Sequence, residues 1–400
     1  MKYILQLIAI LLLCFSMLFC TNEKSKYERV KAEKLQRKAN LENLSRHTAL
    51  PEKIKYPANN PSTSEKIHLG RLLFFDPILS GNKDVACATC HHPSNGYAEF
   101  RDLSIGVNGK GFGSKRVFRQ PNAIPFVKRN AHTILNTAFN GINTNNQYSP
   151  TDAPMFWDVR SHSLEEQALE PIKAFEEMRG EQYTEAEILD VVINRLKAIP
   201  TYQTLFAAAF GGDAPINTTH VGQAIAAFER TLVTNNSRFD QYMRGDESAI
   251  SLSEKEGYAL FKEVGCANCH NGPMFSDYKV HVIGVPENDK LPEADSGFEA
   301  GFGFRTPTLR NLRFTAPYMH NGSLPNLKRV LEFYQDIAMG KERNEAIPPT
   351  HFDPLIKDLK LSVKDMAPII SFFNTLNDSN FDQTEPDSVP SGLAVGGDIR

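Results

Sequence analysis

Two short stretches combine the residue types and the spacing that covalent cofactor chemistry demands: Cys87-Ala88-Thr89-Cys90-His91 and Cys266-Ala267-Asn268-Cys269-His270. Two cysteines separated by two residues and followed at once by histidine form the pattern of c-type haem attachment. The thiols add across the two vinyl groups of the porphyrin, and the adjacent imidazole then reaches the iron from one side of the ring. With 6 Cys and 11 His in 400 residues, chance supplies only about 0.0025 such pentapeptides, so two of them mark function. A thioredoxin-type CxxC needs no histidine after it and belongs to a βαβ context that this sequence does not show. A Cys/His zinc site would need a second ligand pair near either motif, and neither has one.

The elements that must position these motifs read as mostly helical. Ile67–Phe75 has apolar residues at helical spacing, stopped by Asp76-Pro77, and leads through Ser80-Gly81 into the first motif. A Gly- and Asn-rich loop follows from Ser104 to Gly113, then Arg129–Asn136, then Phe156-Trp157-Asp158-Val159-Arg160. Ser163 and Glu166 have capping-box spacing and start a helix there. Ala186–Leu196 and Val221–Leu232 are amphipathic helices, with a breaker at Phe210-Gly211-Gly212-Asp213. Ser253-Glu254 opens a further helix, and its run from Gly257 to Val264 delivers Cys266.

Four hundred residues, 41% of them hydrophobic, suffice for two ordinary domains, one per motif. The expected division is an export segment (1–20), a charged tether (21–48), a first haem domain (49–245), a second (246–385) and a flexible tail (386–400). A net charge of −3 points away from nucleic acid. Of the six cysteines, Cys14 and Cys20 lie at the N-terminus and the other four belong to the motifs, leaving none for a disulfide in the body. Haem attachment to thiols favours export, since in bacteria it takes place outside the cytoplasm. Lys2 and the apolar run Ile4–Phe19 form a secretory-type signal, short for a span of about 20 residues. The run stops at Cys20-Thr21-Asn22-Glu23, which resembles a bacterial lipoprotein signal, although Met17-Leu18-Phe19 is a poor lipobox. The expected location is the periplasm, with membrane anchoring through a lipidated Cys20. An uncleaved anchor helix is the alternative. The Lys- and Arg-rich stretch 24–38 complicates both exported readings, because the positive-inside rule assigns such stretches to the cytoplasm.

The ordered series HLGRLLFFDP, CATCH, SIG, RNAHTILN, FWDVRSHSLEEQALEP, CANCH, TPTLRN, TAPYMHNGS and a helix ending in EFY, over roughly residues 62–378, resembles the bacterial di-haem cytochrome c peroxidase family, including its MauG-type branch. The resemblance implies a mainly α fold of two cytochrome-c-like domains, each with one covalently attached haem. It makes His91 the proximal ligand of a peroxide-reacting haem and His270 that of an electron-transferring haem. It matches Glu165, in SLEEQ, to the family's catalytic glutamate, a carboxylate able to take a proton from peroxide and return it to the leaving oxygen. From the residues alone, Glu165 is equally a first-turn acid favoured by the helix dipole. The second iron's sixth ligand falls on Tyr334, fourteen positions after His320, where a phenolate favours ferric iron and a methionine would raise the potential. Met319 and Met339 are the fallback ligands, and core packing is the plain alternative for Tyr334. Asn130, Thr315 and Pro317 coincide with positions that bind one calcium ion between the domains, a donor set that suits a hard cation. The acidic loop Glu287–Asp295 has no counterpart and reads as solvated.

Two departures bear on mechanism. Where many relatives carry a ligating histidine after SIG, this chain has Val107, which predicts an open face on the first iron. Asn108, His92, His132 and His162 are the other candidate side chains to approach it. Met155 stands where a glutamine is frequent. Trp157, the only tryptophan, belongs to the FWDxR motif; the family's electron-relay tryptophan between the haems cannot be aligned with it, and packing accounts for it equally well. The leading expectation is reduction of hydrogen peroxide to water with electrons from a small redox protein (a cytochrome c or cupredoxin) entering through the second haem. The alternative is MauG-like oxidation of Trp or Tyr side chains of a partner protein through high-valent haems. A non-catalytic di-haem electron carrier is the third reading, and homodimerisation a further expectation.

Overall fold

The computed structural model describes residues 28–29, 46–212, 214–341 and 343–399. The export segment with Cys14 and Cys20, and nearly all of the tether, lie outside the described residues. The chain divides into two compact units, 1–46 and 47–400. In the first, Glu28 and Arg29 are helical. Everything below concerns the second. Among the described residues no helix is long and apolar enough to cross a membrane.

Helices dominate. In chain order they are α1 (Ser64–Phe75), α2 (Cys87–Cys90), α3 (Leu164–Gln167), α4 (Glu170–Lys173), α5 (Glu185–Lys197), α6 (Pro200–Phe210), α7 (Thr218–Glu229), α8 (Arg238–Met243), α9 (Leu252–Glu263), α10 (Leu327–Ala338) and α11 (Val363–Asn374). Among the described residues the only sheets are two antiparallel ribbons, β1 (Gly109–Lys110) with β2 (Val117–Phe118) and β3 (Val280–His281) with β4 (Phe304–Arg305). The caps explain the boundaries. Thr63 Oγ1 accepts from Lys66 N at 3.2 Å to start α1, and Asp76 stops it by accepting from Ile78 N at 2.9 Å. The box that opens α9 is Ser251/Glu254 rather than one starting at Ser253: Ser251 N donates to Glu254 Oε2 at 2.8 Å.

Each half has its own apolar core. The first gathers Leu69, Leu73, Phe74, Tyr202, Phe206, Ile225 and Phe228; the second gathers Phe239, Phe261, Phe275, Leu331, Ile369 and Phe372. In both, the helix that precedes a motif crosses a later helix at a glycine. A Cβ on Gly70 of α1 would sit 1.9 Å from Ala224 O of α7, and one on Gly257 of α9 would sit 2.1 Å from Pro368 O of α11. The backbones approach that closely only because the side chain is absent.

The two ends of the described unit depart from expectation. Residues 386–399, expected as a flexible tail, form a strap on the first half. Val389 is buried in the first core, Ser391 Oγ donates to Asp76 Oδ1 at 2.6 Å, and Thr89 Oγ1 of α2 donates to Gly396 O at 2.7 Å. The acidic loop 287–295 is docked too. Asn288 and Asp295 are buried, Arg129 Nε donates to Asp295 Oδ2 at 2.6 Å, and Lys290 reaches Asp102 at 2.7 Å. At the other end, His47, placed in the tether by sequence, is buried beneath the second motif, its Nε2 2.9 Å from His270 O.

Gly70→Ala is expected to destabilise the protein by about 1–3 kcal/mol through overpacking of the α1–α7 crossing. Gly212→Ala, where a Cβ meets nothing within 4 Å, should stay within about 0.5 kcal/mol. Denaturant unfolding of the two variants measures the difference.

Candidate active site

Both motifs open onto one cavity of about 560 Å³, lined by Cys87, Cys90 and His91 on one side of the sequence and Cys266, Cys269 and His270 on the other. The imidazoles are oriented alike. His91 Nδ1 lies 3.2 Å from Tyr97 O and His270 Nδ1 lies 2.9 Å from Phe275 O. A carbonyl can only accept, so the ring proton sits on Nδ1 and Nε2 is left with its lone pair, as an iron ligand requires. Burial holds both imidazoles below their ordinary range, hence neutral. Burial likewise pushes the Cys87 and Cys266 thiols up to about 12. Arg305, fully enclosed and pulled down to about 10 by burial, also lines the cavity and forms no salt bridge among the described residues. Four thiols, two pinned imidazoles and a buried cation to meet propionates make a donor set that fits two c-type haems.

Glu165 does not reach this cavity. It occupies the first turn of α3 as expected, with Ser163 and Glu166 forming the cap: Glu166 N donates to Ser163 Oγ at 3.2 Å and His162 N to Glu166 Oε2 at 3.0 Å. Its carboxylate is held in a bidentate pair with the buried Arg230, at 2.5 and 2.8 Å, and accepts from Asn60 Nδ2 at 2.7 Å. Burial alone would raise it, but the hydrogen bonds and charge of Arg230 prevail and hold it below the usual carboxylate range. A carboxylate so fastened is a poor proton carrier.

Glu177 does face the cavity, and Asp158, Glu176, Glu229 and Asp353 are the other acidic residues on its wall. Glu177 sits in a π turn, Phe175–Arg179, a wide turn that recurs at functional sites. Burial pushes its carboxyl up to about 7, and its charge is felt at both Cys87 and Cys90. The turn is locked from behind, since Val107 N donates to Glu177 O at 3.0 Å and a Cβ on Gly106 would sit 2.1 Å from that same oxygen. Val107 thus packs in the first core and does not line the cavity. Of the alternative histidines, His92 is buried against Phe112 and Glu385, at 4.6 and 3.3 Å; His162 is exposed. His132 lines the cavity and stacks on Trp157. Met155 lines the cavity, and so does Gln167 of α3, beside Ala168 and Pro171. Glu229 of α7 adds a fully buried carboxyl, pushed up to about 8 by burial.

Trp157 lies on the seam between the halves. Its Nε1 donates to Asn130 O at 3.0 Å, its carbonyl accepts from Arg305 N at 2.7 Å, and Asn130 N donates to His320 O at 2.7 Å. Its ring is 4.0 Å from His132 and 6.4 Å from His320, and His320 stacks on Phe304 at 3.6 Å. At the second motif, Tyr334 of α10 faces the cavity and is pushed up by burial and by Cys269 and Cys266. Met319 lines the cavity as well, whereas Met339 is 57% exposed at the end of α10 and is no candidate ligand. Beside Cys269, His281 is clamped by Asp277 at 3.0 Å and Asp353 at 2.6 Å. Burial opposes its charge, but Asp277, Cys269 and Asp353 push its pKa up to about 11. Asn130, Thr315 and Pro317 all line the cavity; Asn130 Nδ2 donates to Arg101 O and Asp102 O at 2.7 and 3.1 Å, which leaves Oδ1 as the donor a calcium ion would need.

A helical fold with two Cys-x-x-Cys-His stations, a proton-holding carboxyl at one of them and an aromatic seam between them defines a redox enzyme with two communicating centres. Residues 64–248 match the family model of di-haem cytochrome c peroxidase. The methylamine utilization protein MauG of Methylorubrum extorquens is 37% identical over 331 residues, covering 82% of each chain. The cytochrome c551 peroxidase of Nitrosomonas europaea is 35% identical over 295 residues, 72% of this chain and 78% of that one. The fold is shared with a solved MauG-like protein associated with microbial copper homeostasis, at TM-score 0.65 and 27% identity over 82% of this chain and 95% of that one. The chain therefore belongs to the di-haem cytochrome c peroxidase family.

Glu165→Gln is expected to destabilise the fold by about 3–5 kcal/mol, because it strands Arg230, which is buried, without its partner. The reaction with peroxide should keep its rate constant in the folded fraction. Thermal melts beside single-turnover kinetics separate the two effects.

Proposed function

We propose that this protein reduces hydrogen peroxide to water, with peroxide cleaved between His91 and Glu177 and electrons entering from a small redox protein at the side of His270. The observation that carries this reading is Glu177, a half-buried carboxyl on the cavity wall next to the first motif, pushed up to about 7 by desolvation. Two c-type haems, attached through Cys87/Cys90 and Cys266/Cys269, would supply the iron that meets peroxide at one station and stores electrons at the other.

The chain's own groups do the rest. Glu177 takes a proton from the near oxygen of peroxide and delivers it to the far oxygen as the O–O bond breaks, so that water rather than hydroxide departs. Gln167 offers an amide to orient the peroxide. The apolar wall of Leu164, Ala168 and Ala174 keeps bulk water from competing. Two electrons and two protons complete the conversion of one peroxide to two waters. Tyr334 is the assigned second ligand at the electron-receiving station, Trp157 the bridge between stations, and Asn130 with the Thr315 and Pro317 carbonyls the hold for one calcium ion between two cytochrome-c-like domains. Export to the periplasm, with Cys20 as a lipid anchor, belongs to the same reading.

Glu177→Gln in the haem-loaded protein should lower the second-order rate constant for peroxide by about 10²–10⁴-fold. The wild-type rate should rise with pH through about 7 and then level, because the raised carboxyl acts as a base only once ionised. The variant should lose that inflection. Stopped-flow kinetics over pH 5–9 tests both points, and an unchanged rate in the variant would remove Glu177 from the mechanism. Water formation without turnover of a redox-protein donor, alongside oxidised side chains in a co-expressed partner, would instead assign partner-protein oxidation.

A further inference from the structure

We propose that His132 tunes electron passage through Trp157, its ring lying against the indole and stabilising it while it is short of one electron. The proposal rests on the reading above, in which electrons cross between the two motifs.

The two rings stack with centroids 4.0 Å apart and planes 26° from parallel. Both line the cavity shared by the motifs. The environment makes this contact a functional one. Trp157 Nε1 donates to the carbonyl of Asn130 at 3.0 Å. A backbone carbonyl is no base, so an indole that gives up an electron keeps its proton and becomes a cation. Arg305, fully enclosed beside it, adds a second positive charge, with Nη2 3.5 Å from His132 Nε2 and Nε held by Phe156 O at 2.8 Å. The ring facing the indole must therefore be neutral and polarisable rather than charged. Arg305 Nη2 can only donate, so its approach to Nε2 leaves the lone pair there and the ring proton at Nδ1, a neutral imidazole. A neutral aromatic face against a developing cation is an attractive arrangement. In the step itself one electron leaves the indole toward the first motif, after peroxide has withdrawn electrons there, and one arrives from the second. No bond forms or breaks, and the Nε1 proton stays.

His132 is a positioning and tuning residue, since it acts only through Trp157. The test uses the haem-loaded protein and three variants: His132→Leu, His132→Phe and Trp157→Phe. His132→Leu should leave the bimolecular step with peroxide within about twofold of wild type and slow electron crossing between the centres about tenfold. The potentials of both centres should not move. Because Trp157 is the only tryptophan, its ultraviolet resonance Raman bands report the pair directly and should shift in His132→Leu. His132→Phe, which restores a neutral aromatic face, should recover most of the crossing rate. If His132→Leu crosses at the wild-type rate while Trp157→Phe is slow, the role of His132 is overturned and the relay stands. If Trp157→Phe also crosses at the wild-type rate, the relay reading falls. Should His132→Leu fail to fold, His132→Asn removes the aromatic face in its place and carries the same expectations.

Discussion

The structure depends on the fastening of Trp157 across the seam. Its indole N–H is tied to Asn130 in the first half and its carbonyl to Arg305 in the second, while Asn130 N reaches back to His320 O. Three backbone-involving hydrogen bonds thus set the register between the two motifs. Each is about 1 kcal/mol net, small beside the two apolar cores, yet they decide which rings touch. Burial of the cores holds each half together. The seam makes the two halves one cavity.

Charge in that cavity is allocated by partners. Glu165 and Glu177 lie twelve residues apart, both substantially buried, and differ in what meets them. Glu165 has a guanidinium and an amide and stays ionised; Glu177 is dominated by desolvation and sits near neutrality. The same contrast separates Arg230, neutralised by Glu165, from Arg305, which faces the cavity with no carboxylate. A site that must move protons and accept anionic cofactor edges leaves those groups unpaired, whereas groups that hold helices are matched. His281, clamped between Asp277 and Asp353, extends the pattern to the second motif, where the ring is matched by a carboxylate on each nitrogen.

Much of the fold was legible because its signals are local. The stop at Asp76-Pro77, the Ser163/Glu166 cap, the helices that became α5 and α7, and both Cys-x-x-Cys-His stations follow from spacing and capping. The docked loop 287–295, the strap and the burial of His47 were not legible, since their composition is polar and what seats them is distant: Asp102, Arg129, Thr89 and the backbone of His270. The place of Glu177 on the cavity wall was not legible for the same reason: the π turn that carries it is held by Gly106 and Val107, some seventy residues upstream, whereas the helix start at Glu165 is visible in sequence.

The two chain ends then acquire a shared purpose. The imidazole of the first motif is oriented by Tyr97 O, and Tyr97 is in turn held by the segment that leads into the strap, its hydroxyl donating to Asp382 O at 2.7 Å. The imidazole of the second motif is oriented by Phe275 O, and Phe275 is covered by His47, stacked at 4.3 Å. Each proximal histidine is therefore steadied through an aromatic residue by a segment from the opposite end of the unit. Orientation of such a ligand tolerates little slack. A peptide loop alone, bounded by glycines such as Gly96 and Gly272 with positive φ of 61° and 65°, would leave it loose. Closing each loop with a distant segment couples ligand geometry to completion of the whole fold, so neither station is fully formed until both halves and both ends are in place.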